Sequence, residues 1–188
     1  MTTDSSGYKA DPLVWGHGPV ALEIFVEPTC PFSARTFGKL DELLARAGED
    51  RLTVKLRLHS QPWHQFSPAV TRAILAASTT PGGKTAARTV MAAVYAHREA
   101  FDLTEHRTGP NLDQSIRGIL QLIERYSGIE VAKAFELPGL DREMKWHARY
   151  ARQNGIHSSP TFMVNGMVMP DMSSGDSVDA WLGKLGLA

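Results

Sequence analysis

Two stretches near the start of the chain have the hydrophobic patterns of β-strands. Residues 20–27 (VALEIFVE) are mainly apolar, with Glu23 as the interior exception, and are rich in β-branched and aromatic residues. This run predicts a strand buried on both faces, as in a parallel sheet. Residues 51–60 (RLTVKLRLHS) alternate strictly between apolar and polar. They predict a half-exposed strand near a sheet edge.

Between these two strands the apolar spacing changes to that of a helix. Phe37, Leu40, Leu44 and Ala47 follow one another at intervals of three or four residues, which predicts one amphipathic helix. Gly48 stands where a helix commonly ends. The chain therefore begins with a predicted strand, helix and strand, an order that favours a right-handed βαβ unit.

The middle of the chain is predicted to be helical and its last part returns to strands. A helix should begin with Ser67 as N-cap and Pro68 as its first residue, and further amphipathic segments continue to residue 154. Asn165-Gly166 separates two short apolar runs, which is a strong signal for a β-hairpin. A helix with Trp181 on its apolar face ends the chain. These elements predict an α/β fold.

Composition limits the classes of protein that fit this pattern. The chain has 188 residues, 20 basic and 20 acidic, so its formal net charge is zero and nothing favours nucleic acid or an anionic membrane as a partner. Its one cysteine cannot form an internal disulfide. Residues 1–12 are polar and predicted to be loose, without the features of a signal peptide. No apolar run approaches the roughly 18 residues of a membrane span. We therefore expect a cytoplasmic protein.

The single cysteine, Cys30, stands where a buried strand should give way to a helix. Pro31 suits the first position of that helix, which makes Cys30 the expected N-cap. The backbone N–H groups of Phe32 and Ser33 would then point toward the sulfur, and the Ser33 hydroxyl could add a further donor. The positive end of a helix favours a thiolate, the nucleophilic form of cysteine. The alternative interpretation is a small buried apolar side chain with no chemistry.

Two segments resemble the DsbA-like group of thioredoxin-fold proteins. Residues 18–33 (GPVALEIFVEPTCPFS) look like the segment in which a Gly-Pro turn, a central strand and Cys-Pro-x-Cys follow one another. Residues 155–166 (GIHSSPTFMVNG) resemble the loop that ends in a cis-proline and leads into a strand. The resemblance implies a thioredoxin-like core over residues 13–67 and 155–188, with an all-helical insertion over 68–154.

The resemblance also implies roles for individual residues. Cys30 and Ser33 take the catalytic positions. Pro31, Phe32, Ser159 and Pro160 would contact the substrate, with a cis bond between Ser159 and Pro160 and the Ser159 backbone facing an extended peptide or glutathione. Ser33 departs from the pattern, because the group carries there the second cysteine that resolves a mixed disulfide. A serine cannot do this, so an external thiol would have to.

Three functions fit this departure. The first is a monothiol thiol–disulfide oxidoreductase or isomerase that works through a mixed disulfide at Cys30. The second is a glutathione-dependent isomerase or transferase, similar to the kappa-class transferases, in which the Cys30 position only activates the sulfur of glutathione. The third is a binding or chaperone module that has lost redox activity. Glutathione is the expected co-substrate, and no tightly bound cofactor is expected.

Histidines near the predicted strand ends are further candidates. His64, beside Trp63, follows the second strand and could line a substrate groove or carry protons, although simple packing is the commoner role. His157 lies three residues before Pro160, where an exposed loop histidine is the commoner outcome. No set of Cys, His and Asp residues has the spacing of metal ligands, so no metal is expected.

Overall fold

The computed structural model describes residues 12–188. The predicted loose segment 1–12 therefore lies outside the described residues, except for Pro12. In chain order the elements are β1 (Val14–Gly16), β2 (Val20–Val26), α1 (Pro31–Phe37), α2 (Leu40–Ala47), β3 (Leu52–Leu58), α3 (Ser67–Thr79), α4 (Gly83–Ala96), a 3-10 turn (Arg98–Phe101), α5 (Ile116–Ser127), α6 (Ala132–Phe135), α7 (Gly139–Gln153), β4 (Thr161–Val164), β5 (Met167–Val168) and α8 (Val178–Leu185).

The five strands form one mixed sheet in the order β1-β3-β2-β4-β5. Strands β2 and β3 run parallel, with Val20 opposite Leu52 and Val26 opposite Leu58. Strand β4 lies antiparallel on the other side of β2. As predicted, β2 is central, and its last five residues are buried. The predicted order of strand, helix, strand, helical block, hairpin and helix is confirmed.

Strand β3 is less exposed than its alternating sequence predicts. The short strand β1 pairs with its outer edge, so β3 is the second strand from that edge of the sheet. The polar side chains of Thr53 and Lys55 are partly exposed, but Arg57 is buried. The prediction of a half-exposed strand is therefore correct only for its first part, because α7 contacts β3.

The predicted single helix after Cys30 is two helices. Helix α1 ends at Phe37, and α2 begins at Leu40 after a turn at Gly38 and Lys39. The apolar spacing continues through this turn, which is why the sequence pattern did not reveal it. The predicted end at Gly48 is correct, since this glycine takes a φ of 88°, which few other residues adopt.

The helical block packs on the sheet through one continuous apolar core. That core includes residues from β2, β3, α2 to α5, and α8. Helix α3 begins one residue earlier than predicted, with Phe66 as its N-cap, and the buried Ser67 hydroxyl has no hydrogen-bond partner among the described residues. The division into a core over 13–67 and 155–188 and an insertion over 68–154 stays a prediction.

The predicted hairpin joins β4 to β5. Asn165 and Gly166 have φ angles of 48° and 83°, as a type I′ turn requires. The Asn165 side chain also accepts a hydrogen bond from the backbone N–H of Ala21, at 2.8 Å, which ties the turn to β2. Helix α8 then packs the fully buried Trp181 against Phe162 of β4. No helix among residues 12–188 combines the length and the apolar character needed to span a bilayer.

Candidate active site

Three segments of the chain meet at one edge of the sheet. Strands β2 and β3 are parallel, so both end at this edge, and the antiparallel strand β4 begins there. Cys30 follows β2, His64 follows β3, and Ser159-Pro160 precedes β4. Sequence positions far apart thus come together where ligands usually bind in open α/β sheets.

Cys30 is the N-cap of α1, as predicted, with Pro31 at the start of the helix. Its backbone N–H donates to the Glu27 carbonyl, and its own carbonyl accepts from Ala34. The sulfur makes no capping hydrogen bond to the helix. It points instead toward the Ser159 carbonyl, at 3.9 Å, and Cys30 is only 6% exposed. The sulfur therefore lies between the start of α1 and the loop before β4.

Ser33 is bonded to the end of β2 rather than to the sulfur. The residue is fully buried, and its hydroxyl oxygen accepts a hydrogen bond from the backbone N–H of Glu27 at 3.1 Å. No hydrogen bond joins Ser33 to Cys30 among the described residues. Ser33 thus ties the first turn of α1 to the end of β2, which holds Cys30 in position.

The loop before β4 has the conformation that the resemblance implies. The Ser159–Pro160 peptide bond is cis. The hydroxyl of Thr161 donates to the Ser158 carbonyl at 2.8 Å, which closes the turn. This arrangement presents the Ser159 carbonyl to the Cys30 sulfur, so the predicted approach of the two segments is confirmed.

A cavity of about 660 Å³ opens beside Cys30. Four segments supply its walls: the start of α1, the loop after β3, the segment that follows α4, and the loop before β4. Of the residues predicted from sequence, the cavity lining includes Cys30, Pro31, Phe32, His64 and Ser159, together with Trp63. Phe32 and Trp63 are each about half exposed at the rim.

Two of the predicted site residues and one candidate stand outside this lining. Ser33 is fully buried. Pro160 and His157 line a separate cavity of about 410 Å³. The His157 side chain is exposed, and its backbone carbonyl accepts from the Gln61 amide at 3.3 Å. The substrate-contact roles of all these residues stay predictions.

A buried polar network lies behind one wall of the Cys30 cavity, and its members His64 and Asp102 reach the lining. Glu27 is fully buried, and one of its carboxylate oxygens accepts from both the N–H and the hydroxyl of Thr29, at 2.8 and 2.9 Å. The Thr29 hydroxyl lies 2.8 Å from Nδ1 of His64. Nδ1 of His64 also lies 3.0 Å from Asp102. The Asp102 carboxylate can only accept, and the Thr29 hydroxyl donates to Glu27, so both neighbours favour a proton on Nδ1 of His64.

For each group of this network, burial and the neighbouring charges act on the pKa in opposite directions. Burial raises the pKa of Glu27. Burial opposes protonation of His64, but the hydrogen bond to Asp102 and the charges of Glu27 and Asp102 outweigh it, so the pKa of His64 is raised. Burial likewise opposes ionisation of Asp102, yet its bond to His64 holds its pKa below the usual value. The pair is therefore an ionised carboxylate beside an imidazole that readily takes a proton.

Glu27, Asp102 and His106 were not predicted from the sequence. Asp102 and His106 line the cavity, and Glu27 is buried behind them. Glu27 ends an otherwise apolar strand three residues before Cys30, and a carboxylate there was the one available signal. Asp102 and His106 lie in the segment after α4, which has no motif. Only the folding of that segment over the strand ends brings them to His64.

His59, the first residue after β3, should make stability depend on pH. Burial lowers its pKa, with a smaller contribution from His157, and its Nε2 has no hydrogen-bond partner among the described residues. The unfolded chain therefore takes up a proton near its ordinary pKa of 6.5 while the folded protein resists it. We expect the free energy of unfolding to fall as pH falls below 6.5 toward the folded pKa.

Urea denaturation at a series of pH values measures this effect. His59→Gln should show a smaller loss of stability than the natural protein over that range. His17→Gln, at an exposed histidine, serves as the control and should follow the natural protein. An unchanged slope in His59→Gln would contradict the assignment.

The sheet order, the cysteine at the start of α1 and the opposing cis-proline loop define a thioredoxin-fold protein. Comparison with known families agrees: the sequence model described as thioredoxin matches residues 15–184. The chain belongs to the thioredoxin family.

Several solved structures are similar over most of the chain. A protein from Pseudomonas syringae, provisionally described as a protein-disulfide isomerase, is 58% identical, with a TM-score of 0.92 over 94% of this chain and 98% of that one. A thioredoxin-like oxidoreductase from Silicibacter pomeroyi (19% identity, TM-score 0.67, 99% and 96% covered) and Pseudomonas aeruginosa DsbA2 (18%, 0.66, 96% and 96%) share the fold. The predicted resemblance to DsbA-like proteins is thus confirmed. None of the curated proteins matches the chain significantly.

Proposed function

We propose that this protein is a monothiol thiol–disulfide oxidoreductase or isomerase in which Cys30 is the nucleophile. The observation that carries the proposal is the position of the Cys30 sulfur, at the start of α1 and 3.9 Å from the carbonyl that precedes the cis-proline. The structural relatives described as oxidoreductases and disulfide isomerases support this class of activity. The chain has no second cysteine with which to close an internal disulfide.

The chemistry is two successive exchanges. The Cys30 thiolate attacks one sulfur of a substrate disulfide, forms a mixed disulfide and releases the other sulfur as a thiolate. An external thiolate then attacks the mixed disulfide, takes the bound sulfur into a new disulfide and regenerates the Cys30 thiolate. When the attacking group is another thiol of the same substrate, the result is isomerisation. Each step exchanges one S–S bond for another, so no further oxidant is needed.

The lining of the cavity supports contacts with both a disulfide substrate and glutathione. The half-exposed rings of Phe32 and Trp63 offer apolar contact at the rim, and the backbone of Ser159 offers hydrogen bonds to an extended peptide or to glutathione. His64 lies in the wall as a group that can hold or give a proton. Glutathione is the resolving thiol in this proposal, which places the protein in a reducing compartment such as the cytoplasm.

The test is mass spectrometry of the intact protein after exposure to oxidised glutathione. We expect one glutathione per chain, linked to Cys30, absent from Cys30→Ser and released by reduced glutathione. The natural protein, but not the variant, should also speed the refolding of a scrambled disulfide-bonded protein. Tight noncovalent binding of glutathione that survives Cys30→Ser would instead support a glutathione-dependent isomerase or transferase, and no interaction of either kind would support a binding module.

A further inference from the structure

Two histidines and an aspartate converge in the wall of the Cys30 cavity. Asp102 stands between them, with its Oδ2 atom 3.0 Å from Nδ1 of His64 and 3.8 Å from Nδ1 of His106. The two imidazole rings meet edge to face, with centroids 4.8 Å apart. One ligand atom from each of the three residues lies within 4.8 Å of the other two. All three side chains line the cavity.

Backbone contacts hold this arrangement in place. His64 and Asp102 are buried, and the Asn111 amide donates to the Asp102 carbonyl at 2.9 Å. His106 is more exposed and lies in a turn that a bridge between Thr104 and Thr108 closes. Two of the three side chains are therefore fixed, while the third lies at the surface and can adjust.

The charges around His64 favour an added cation. The single proton on its Nδ1 faces three acceptors: the Thr29 hydroxyl, Asp102 and Glu27, whose Oε2 lies 3.5 Å away. The second carboxylate oxygen of Glu27 is also buried, and the uncharged Ser67 side chain lies near this carboxyl. The buried carboxylates of Glu27 and Asp102 thus both lie beside the imidazole of His64.

Other charged groups nearby do not balance the negative charge of the Glu27 and Asp102 carboxylates. Arg98 lies 4.0 Å from Asp102 and is partly exposed, while Glu99 adds negative charge to the same cavity and Glu105 is paired with Arg107 at 2.6 Å. A divalent cation that replaces the Nδ1 proton of His64, releasing it to solvent, would neutralise the two buried carboxylates more fully than that proton does.

We propose that His64, Asp102 and His106 form a binding site for a divalent transition-metal ion, with zinc as the best fit. Two imidazoles and one carboxylate are a common ligand set of zinc sites that keep an open position, whereas Mg²⁺ and Ca²⁺ prefer oxygen ligands. Zinc–ligand bonds of about 2.0–2.2 Å place tetrahedral ligand atoms about 3.4 Å apart. The His64–Asp102 and His106–Asp102 distances of 3.0 and 3.8 Å lie on either side of this value, and the exposed His106 can move to complete the triangle.

The open coordination position would face the cavity that Cys30 also lines. Thiolates are strong zinc ligands, so a thiol that enters the cavity could complete the coordination. The metal would then lie beside the proposed exchange site without being one of its reactants. This inference concerns metal binding alone and does not depend on the proposed exchange activity.

The test is a Zn²⁺ titration in competition with a chromophoric chelator, together with the visible spectrum of the Co²⁺-loaded protein. The titration is made in a Cys30→Ser background, because a free thiolate can bind zinc by itself. We expect one Zn²⁺ per chain with micromolar or tighter affinity. Adding His106→Ala should weaken binding at least about tenfold, because it removes a direct ligand. Adding Asp102→Asn should weaken it in the same direction.

His17→Ala is the matched control, since it removes an exposed histidine outside the cavity, and it should leave the affinity unchanged. Circular dichroism checks that each variant remains folded. Two results would each overturn the proposal: no zinc binding to the Cys30→Ser protein at micromolar concentrations, or binding that the added His106→Ala leaves as tight as before.

Discussion

Ser33→Cys is expected to give the protein a dithiol reductase activity that the natural chain lacks. Ser33 stands three residues after Cys30 in the first turn of α1. At this spacing the Cβ atoms of the two residues lie about 5–6 Å apart. A small shift of these two residues would bring their sulfurs within bonding distance, so a disulfide can form. Mild oxidation should link the two sulfurs, with two electrons and two protons passing to the oxidant. The variant with dithiothreitol should then reduce insulin.

Two controls separate this effect from the mere presence of another thiol. Arg35→Cys puts a second thiol at an exposed position of the same helix, five residues from Cys30, and should not form the internal disulfide. Ser33→Ala removes the hydroxyl without adding sulfur and should gain no reductase activity. It should lose about 1–3 kcal/mol of stability, because the buried N–H of Glu27 is left without an acceptor. Two free thiols in oxidised Ser33→Cys would show that the sulfurs cannot meet.

The parts of the site that the sequence predicted are those with local signals. Cys30 and Pro31 stand between a strand pattern and a helix pattern, so their place at the helix start follows from neighbouring residues. The approach of Ser159 to Cys30 followed from the resemblance, since no local rule links positions 129 residues apart. Ser33 shows the limit of such reasoning. Its position was correct, but its hydroxyl bonds to the Glu27 backbone rather than to sulfur.

The network of Glu27, His64 and Asp102 could not be predicted because it depends on how one segment folds over the sheet. His64 and Asp102 are 38 residues apart and belong to no shared motif. The turn between α1 and α2 was missed for a different reason. Gly38 interrupts the helix without interrupting the apolar spacing, so periodicity alone gives a single helix.

The burial of Arg57 on β3 is a third feature that the sequence pattern did not predict. An alternating strand predicts that its polar residues face water, but Arg57 is buried. Its guanidinium donates to Glu23 of β2 at 2.6 Å and lies over the rings of Trp146 and Tyr150 from α7. Tyr150 also donates to the other oxygen of Glu23, at 2.9 Å. On this face of β3, Arg57 therefore contacts a carboxylate and two aromatic rings instead of solvent.

Removing one member of this pair should destabilise the protein strongly. Glu23→Met would leave the Arg57 charge buried without its carboxylate, and we expect a loss of about 3–5 kcal/mol in the free energy of unfolding. The double variant Glu23→Met/Arg57→Met leaves no unpaired charge. It should be more stable than Glu23→Met alone, because well-packed apolar residues often replace a buried ion pair at little cost. Urea denaturation of both variants and of Arg57→Met measures the coupling between the two side chains.

The exposed pair of Glu42 and Arg46 on α2 provides the comparison. Both side chains are largely in water, at 58% and 41% exposure, so Glu42→Met should leave the denaturation midpoint almost unchanged. If the losses of the two buried single variants simply add in the double variant, the charges of Glu23 and Arg57 do not stabilise each other. A recovery in the double variant would instead show that pairing of the two charges is what makes their burial tolerable.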